Sequence, residues 1–246
     1  MNSGDGIMLP KRLASIVSQI PGGSRVADIG SDHGYLPIEL VKRGFPRPIA
    51  TEHAPGPYQQ CAESIAGYDI DLRFGSGLAP ISPAEVDVVV IAGMSGQTIQ
   101  EILVQSWDKV KQIGMFILQP MLGAEELRLF LLEREIGISH EWLVKERGKY
   151  YQYLNVIPEK ISVPDQLKRA YPNIEEGFLI KIGCGLLLDT SELNQEYFQF
   201  QLKKLEKVLK RLDRDKHSQR YKEIEMQVFN WRQVIQCHTK LVNAHR

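Results

Sequence analysis

Arg25-Val-Ala-Asp-Ile-Gly-Ser-Asp-His-Gly-Tyr-Leu-Pro37 is the stretch whose reading decides the fold. Val26, Ala27 and Ile29 form the short apolar run of a buried strand. Gly30 and Gly34 permit a sharp turn and a close approach of backbone to a ligand. Leu36, Ile38 and Leu40–Val41 then shift the apolar spacing toward a helix. In open α/β sheets, nucleotide-like ligands sit in the crevice outside the carboxyl end of such a strand.

The chemistry of the turn narrows the ligand. A dinucleotide fingerprint, G-x-G-x-x-G, lets a pyrophosphate rest on the helix N-terminus. Here Asp32 stands where the middle glycine belongs, Asp28 lies just before, and the loop holds no Lys or Arg. Two carboxylates line a pyrophosphate poorly, because like charges repel once desolvated. They suit a ligand carrying an ammonium and a sulfonium, a description that S-adenosylmethionine fits. Helix capping is the plainer use of either carboxylate taken alone.

Working outward, Leu9 to Ile20 reads as an amphipathic helix with Leu9, Leu13, Ile16–Val17 and Ile20 on one face. Lys11 and Arg12 lie off that face and are candidates for phosphate contact. Arg47 to Glu52 is the next strand. Glu52 lies 22 residues after Gly30, about where an acid at the end of a second strand meets a ribose diol. Gly56 to Ala66 reads as a helix, Asp71–Phe74 as a short strand into Gly75-Ser-Gly-Leu78, and Val86–Ala92 as a buried strand into Gly93-Met-Ser-Gly96. A helix to about Ser106, a strand at Gly114–Leu118 and a helix at Ala124–Glu133 follow. Two strands near 138–146 and 150–157 read as a closing hairpin across Arg147-Gly-Lys149. This alternation predicts an α/β fold with a parallel, doubly wound sheet. Right-handed crossovers gather the turns at 28–34, 52–57, 75–78 and 93–96 on one edge.

Beyond Pro158 the pattern changes, and we divide the chain at 1–160 and 161–246. Phe178–Ile182 reads as a strand or a packing segment. Tyr221, Ile224, Val228, Trp231, Ile235, His238 and Val242 form a heptad seam, matched upstream by Leu202, Leu205, Val208–Leu209 and Leu212. These predict an antiparallel helical hairpin, a coiled coil of roughly 25 residues per arm. His238 on the seam reads as a core residue rather than a ligand.

The chain of 246 residues has 30 basic and 30 acidic side chains, yet residues 201–246 hold 12 Lys/Arg against 5 Asp/Glu. The basic tail suggests a polyanionic partner. Lys203, Lys204, Lys207, Lys210, Arg211 and Arg214 cluster within about three helical turns. No leader-like segment opens the sequence, and no apolar run approaches the ~18 residues of a membrane span. Cys61, Cys184 and Cys237 fit no disulfide or zinc spacing. A cytoplasmic chain with no membrane and no metal is the expectation; the sequence identifies no protein partner.

Taken together, the turns resemble those of the bacterial tRNA (adenine-22-N1)-methyltransferases. The resemblance is carried by Leu9-Pro-Lys-Arg-Leu13, Ala27-Asp-Ile-Gly-Ser-Asp-His-Gly-Tyr-Leu-Pro37, Glu52 with Gly56-Pro57, and Gly75-Ser-Gly-Leu78. It continues through Ile91-Ala-Gly-Met-Ser-Gly96, Ile117-Leu-Gln-Pro120 and Gly148-Lys-Tyr-Tyr151. It implies a Rossmann-like class I methyltransferase domain that binds S-adenosylmethionine, and a C-terminal coiled-coil hairpin that meets tRNA. By the same resemblance, Gly30, Ser31 and Asp32 shape the methionine end and Glu52 takes the ribose, while Asp28 is a cofactor-binding candidate from its place in the acidic turn. Gly75, Ser76, Gly77 and Leu78 then flank the adenine, and Ala92, Gly93 and Met94 wall the transfer site. Tyr35 and His33 are the candidates for touching the target base. The sequence departs from the family pattern at Pro55, Ser76, Ser95 and Met121, where an acid, an Asp or Asn, a glycine and an Asn are usual. Three other readings stand beside this one. They are a class I methyltransferase acting on another RNA or a small molecule, an RNA-binding relative impaired at Ser76, Ser95 and Met121, and a nicotinamide oxidoreductase, which Asp32 disfavours.

Overall fold

Val26–Ile29 (β1), Ile49–Glu52 (β2), Asp71–Phe74 (β3), Val88–Met94 (β4) and Met115–Pro120 (β5) pair in parallel. Gly137–Glu146 (β6) and Lys149–Ile157 (β7) form an antiparallel hairpin, and β7 pairs antiparallel with β5. The result is one seven-stranded sheet ordered β3-β2-β1-β4-β5-β7-β6. The computed structural model describes residues 9–213 and 218–244. The chain divides into two units, Met1–Ile161 and Ser162–Arg246.

The helices of the first unit are Lys11–Gln19 (α1), Tyr35–Lys42 (α2), Pro55–Ser64 (α3), Gly96–Gln105 (α4), Trp107–Val110 (α5) and Ala124–Glu133 (α6). Because side chains alternate along a strand, the apolar run of β4 feeds two cores. Val88 and Val90 pack with Ile16, Val17, Leu36 and Leu40 of α1 and α2. Val89 and Ile91 pack with Ile99, Leu103, Leu127 and Leu131 of α4 and α6. Every residue of β1 and β2 is buried, with Asp28, Thr51 and Glu52 among them, as expected of central parallel strands covered on both faces. The strand order reverses at β1, between β2 and β4, and opens a crevice there.

The hairpin turns at Arg147 and Gly148, with φ of +49° and +75°, the left-handed pair of a type I′ turn. Arg128 of α6 is fully buried and holds the hairpin: its Nε donates to Glu141 Oε1 at 2.6 Å, and a terminal nitrogen donates to Gln152 Oε1 at 2.8 Å.

The second unit contains Asp165–Ala170 (α7), Glu176–Ile182 (α8), Cys184–Leu188 (α9), Glu192–Leu209 (α10) and Ser218–Ala244 (α11). Phe178–Ile182 is helical, not a strand; α8 buries Leu179, Ile180 and Ile182. The hairpin arms are unequal, 18 and 27 residues. Val234 rather than Ile235 completes the buried seam of α11. Upstream, Tyr197 and Phe198 are the buried apolar side chains of α10, whereas Val208 is 38% exposed. Phe198 meets Trp231 and His238 at ring distances of 5.8 and 4.9 Å. The Tyr171 hydroxyl donates to the Leu187 carbonyl at 2.9 Å and accepts from His238 Nδ1 at 3.0 Å. Burial lowers the His238 pKa, so a neutral histidine sits in this core. Among the described residues, no helix is long and apolar enough to cross a membrane.

Candidate active site

The turn after β1 is built from left-handed residues: Gly30, Asp32 and Gly34 have φ of +73°, +52° and +68°. The Gly30 and Ser31 amides donate to the Thr51 carbonyl at 3.0 and 3.1 Å, fastening the turn to β2. Asp32 N–H donates to Glu52 Oε1 at 2.6 Å. The first and second turns therefore form one backbone-fixed unit. The left-handed backbone of Gly30 favours glycine, and a Cβ there would also have to push the terminal methyl of Met94 aside.

Gly30 and Met94 stand where two cavities adjoin. One, of about 400 Å³, is lined by Asp28, Gly30, Ser31, Asp32, His33, Tyr35, Ala92, Gly93 and Met94, with Arg12 reaching in from α1. The other, of about 150 Å³, is lined by Glu52, Gly75, Ser76 and Gly77 together with Gly30 and Met94. Thus residues from four strand ends meet at one edge of the sheet.

The two carboxylates of the first turn differ in environment. Asp28 is buried, and desolvation, helped by the nearby Glu52 charge, pushes its pKa up to about 7 against a smaller opposing hydrogen bond from Ser31. Asp32 instead has a side chain 64% exposed. It lines the cavity from the solvent side, with His33 Nε2 at 3.6 Å. His33 and Tyr35 are stacked, with ring centroids 5.2 Å apart and 18° between planes. They form one aromatic platform rather than two separate contacts.

Some sequence expectations change here. Leu78 does not line either cavity: it is buried in the core under α4, and its carbonyl accepts from Lys109 Nζ at 2.8 Å. Lys11 lies away from both cavities; its amide is tied to Glu146 Oε1 at 2.7 Å, and only Arg12 of that pair reaches the first cavity. Lys203, Lys204, Lys207, Lys210 and Arg211 are exposed in the second unit. Arg214 lies outside the described residues.

Sequence reasoning missed other lining residues. Tyr151 of β7 lines the first cavity, and Thr98, Glu101 and Gln105 on one face of α4 line the second; their 3- and 4-residue spacing was the available signal. The departures also acquire roles. Ser95 Oγ accepts from Thr98 N at 3.1 Å and caps α4, a preferred cap where a glycine has no side chain to offer. Pro55 is the first residue of α3, a position that tolerates its missing N–H. Met121 is 46% exposed on the rim of the first cavity, and its amide donates to the Met94 carbonyl at 2.7 Å. The buried Gln119 accepts from Gly93 N at 3.2 Å and points its amide at Met121 Sδ, 3.6 Å away, so it links the turns after β4 and β5.

The residue set fits S-adenosylmethionine: a buried acid at one end, an acid beside a glycine turn at the other, and no cation on the β1 turn. Among the described residues, no group of His, Cys, Asp and Glu is placed to hold a metal ion.

A family model described as a methyltransferase domain matches residues 9–154. The tRNA (adenine(22)-N(1))-methyltransferase of Bacillus subtilis (strain 168) is 37% identical over 153 residues, covering 60% of this chain and 64% of that enzyme. The match therefore spans just under two thirds of that relative's length. A Streptococcus agalactiae protein of the NADB-Rossmann superfamily superposes with a TM-score of 0.83 at 28% identity, covering 95% of this chain and 100% of its own. TrmK of M. capricolum, solved with S-adenosyl-homocysteine, gives a TM-score of 0.77 at 26% identity, with coverage of 94% and 99%.

Proposed function

The chain belongs to the methyltransferase-domain family, and from that premise, together with its likeness to the tRNA (adenine(22)-N(1))-methyltransferase of Bacillus subtilis, we propose that it methylates N1 of adenine 22 in tRNA using S-adenosylmethionine. The observation that carries the reading is the pair of cavities adjoining at Gly30 and Met94. One is acidic at its floor and aromatic at its mouth; the other is lined by Glu52 at a strand end, the Gly75–Gly77 turn and one face of α4.

We assign Asp28 to the cofactor's ammonium, Glu52 to its ribose and the Gly75–Gly77 turn to its adenine. Ser76 reaches less far toward an adenine amino group than a longer polar side chain, so the backbone of this turn and the face of α4 carry more of that contact. S-adenosylmethionine supplies an electrophilic methyl group on a sulfonium. N1 of neutral adenine already carries a lone pair, so the chain needs no strong base. Its task is to hold N1 in line and exclude water, and positioning carries most of the effect. A base inside folded RNA must be unstacked at a few kcal/mol; the His33–Tyr35 platform offsets part of this, at ~1–3 kcal/mol per stacked base. Tyr151 and Arg12, on the same cavity, complete its wall.

We assign the RNA grip to the exposed lysines of α10 and to Arg211, and place the protein in the cytoplasm with its substrate. The test is transfer itself: labelled S-adenosylmethionine and unmodified tRNA should yield 1-methyladenosine on nucleoside digestion. Label in another nucleoside, or none in RNA, contradicts the reading.

A further inference from the structure

The second unit holds a cleft of about 570 Å³ between the end of α7, with the Pro172–Asn173 segment after it, and the last turns of α11. Its lining presents two cations, Arg169 and Lys240, and three carboxamides, Asn173, Gln233 and Gln236; among the described residues no carboxylate lines it. That donor set is uneven in an informative way. Two cations without a compensating acid favour an anion, and carboxamides offer donors and acceptors together, which suits the mixed edge of a nucleobase.

The walls are fixed to each other before any ligand arrives. Tyr171, which caps α7, is buried and shares hydrogen bonds with the Leu187 carbonyl and with His238 of α11. The volume is within the ~300–1,000 Å³ range of small-ligand sites. Yet Arg169, Asn173, Gln236 and Lys240 are all exposed, so the cleft is open along its rim. A free metabolite is usually enclosed over most of its surface, whereas a nucleotide within a chain needs open ends. Base edges become available to side chains mainly where RNA is unpaired.

We propose that this cleft seats one unpaired nucleotide of the RNA substrate, with its phosphate between Arg169 and Lys240 and its base edge on the carboxamides. The inference rests on the RNA substrate proposed above. It adds a subsite distinct from the basic face of α10 and gives the second unit a role in choosing RNA as well as holding it.

Cys237 lines the cleft and is partly exposed, while Cys184 of the same unit does not line it. Alkylation by iodoacetamide, read at each cysteine by peptide mass spectrometry, therefore reports occupancy without relying on activity. Unmodified tRNA transcript should protect Cys237 and leave Cys184 unchanged. Arg169→Gln and Lys240→Gln should each raise the KM for tRNA about tenfold at constant kcat, the loss expected of one charge-assisted hydrogen bond, whereas Lys240→Arg should keep the wild-type KM. A transcript that is methylated while Cys237 stays unprotected overturns the subsite and leaves the enzymatic reading standing. Protection without methylation supports the subsite and overturns that reading; neither methylation nor protection overturns both. Protection by AMP but not by tRNA overturns the subsite in favour of a small-nucleotide site.

Discussion

Asp28→Asn should strengthen the empty protein and weaken its hold on S-adenosylmethionine, and both effects follow from one buried charge. Burial raises the Asp28 carboxyl from 3.8 to about 7. That is about three units, or about 4 kcal/mol at ~1.36 kcal/mol per unit, between its protonated and charged forms. The folded-state value lies above the unfolded one, so the folded state binds the extra proton. The stabilisation is complete below the unfolded pKa, and it is lost as pH rises through about 7. At pH 8 the wild-type protein carries the full penalty of a desolvated carboxylate, whereas an amide carries none. The variant should melt higher at pH 8 by up to roughly 8–16 °C, the product of about 4 kcal/mol and about 2–4 °C per kcal/mol for a chain of this size, and its stability should lack the wild-type decline between about pH 4 and 7. Binding runs the other way. The ammonium of the cofactor needs the charged carboxylate, so wild-type affinity should fall about tenfold per pH unit below 7. The Asp28→Asn protein should bind weakly at every pH with no such slope. Thermal melts and calorimetric titrations across that range read both. If the variant keeps the wild-type pH slope in affinity, Asp28 does not hold the ammonium and the assignment is refuted.

Three further outcomes are expected. Tyr35→Ala should lower kcat/KM for tRNA about ten- to a hundredfold, the worth of a stacked base, with cofactor affinity unchanged in calorimetry, and Tyr35→Phe should retain most activity. Gly30→Ala must keep a left-handed backbone and drive the Met94 methyl aside. It should lose about 1–2 kcal/mol of stability and much cofactor affinity, and adding Met94→Ala should recover part of the affinity but not the backbone strain. Replacing any one of Lys203, Lys204, Lys207 or Lys210 with Gln should reduce the salt dependence of tRNA binding by about 0.7–0.9 log unit per log salt; an unchanged slope would remove that lysine from the RNA contact.

The sheet and the cofactor edge were legible because they depend on local chemistry. Glycine turns, buried β-branched strands and an acid at a strand end each leave a signature within a few residues. Residues set by distant packing were not. Tyr151 reaches the site because the closing hairpin, held by Arg128, lies beside β5, and nothing near residue 151 says so. Leu78 turned into the core because the direction of a side chain after a turn depends on what packs beneath it. Asp32 faces solvent because its left-handed backbone gives its amide, not its carboxylate, to Glu52. Phe178–Ile182 is too short for periodicity to separate strand from helix. On α11, Val234 and Ile235 satisfy the spacing from Trp231 to His238 equally well, as steps of three then four or four then three. The packed partners choose between them.

The most direct test of the account is to map the methylated nucleotide. Transcripts of one tRNA with adenine or guanine at position 22, incubated with the protein and S-adenosylmethionine, can be read by reverse transcription, which stops at 1-methyladenosine. The account predicts a stop at position 22 in the adenine transcript and none in the guanine transcript. A stop elsewhere, or one that survives the substitution, would contradict it.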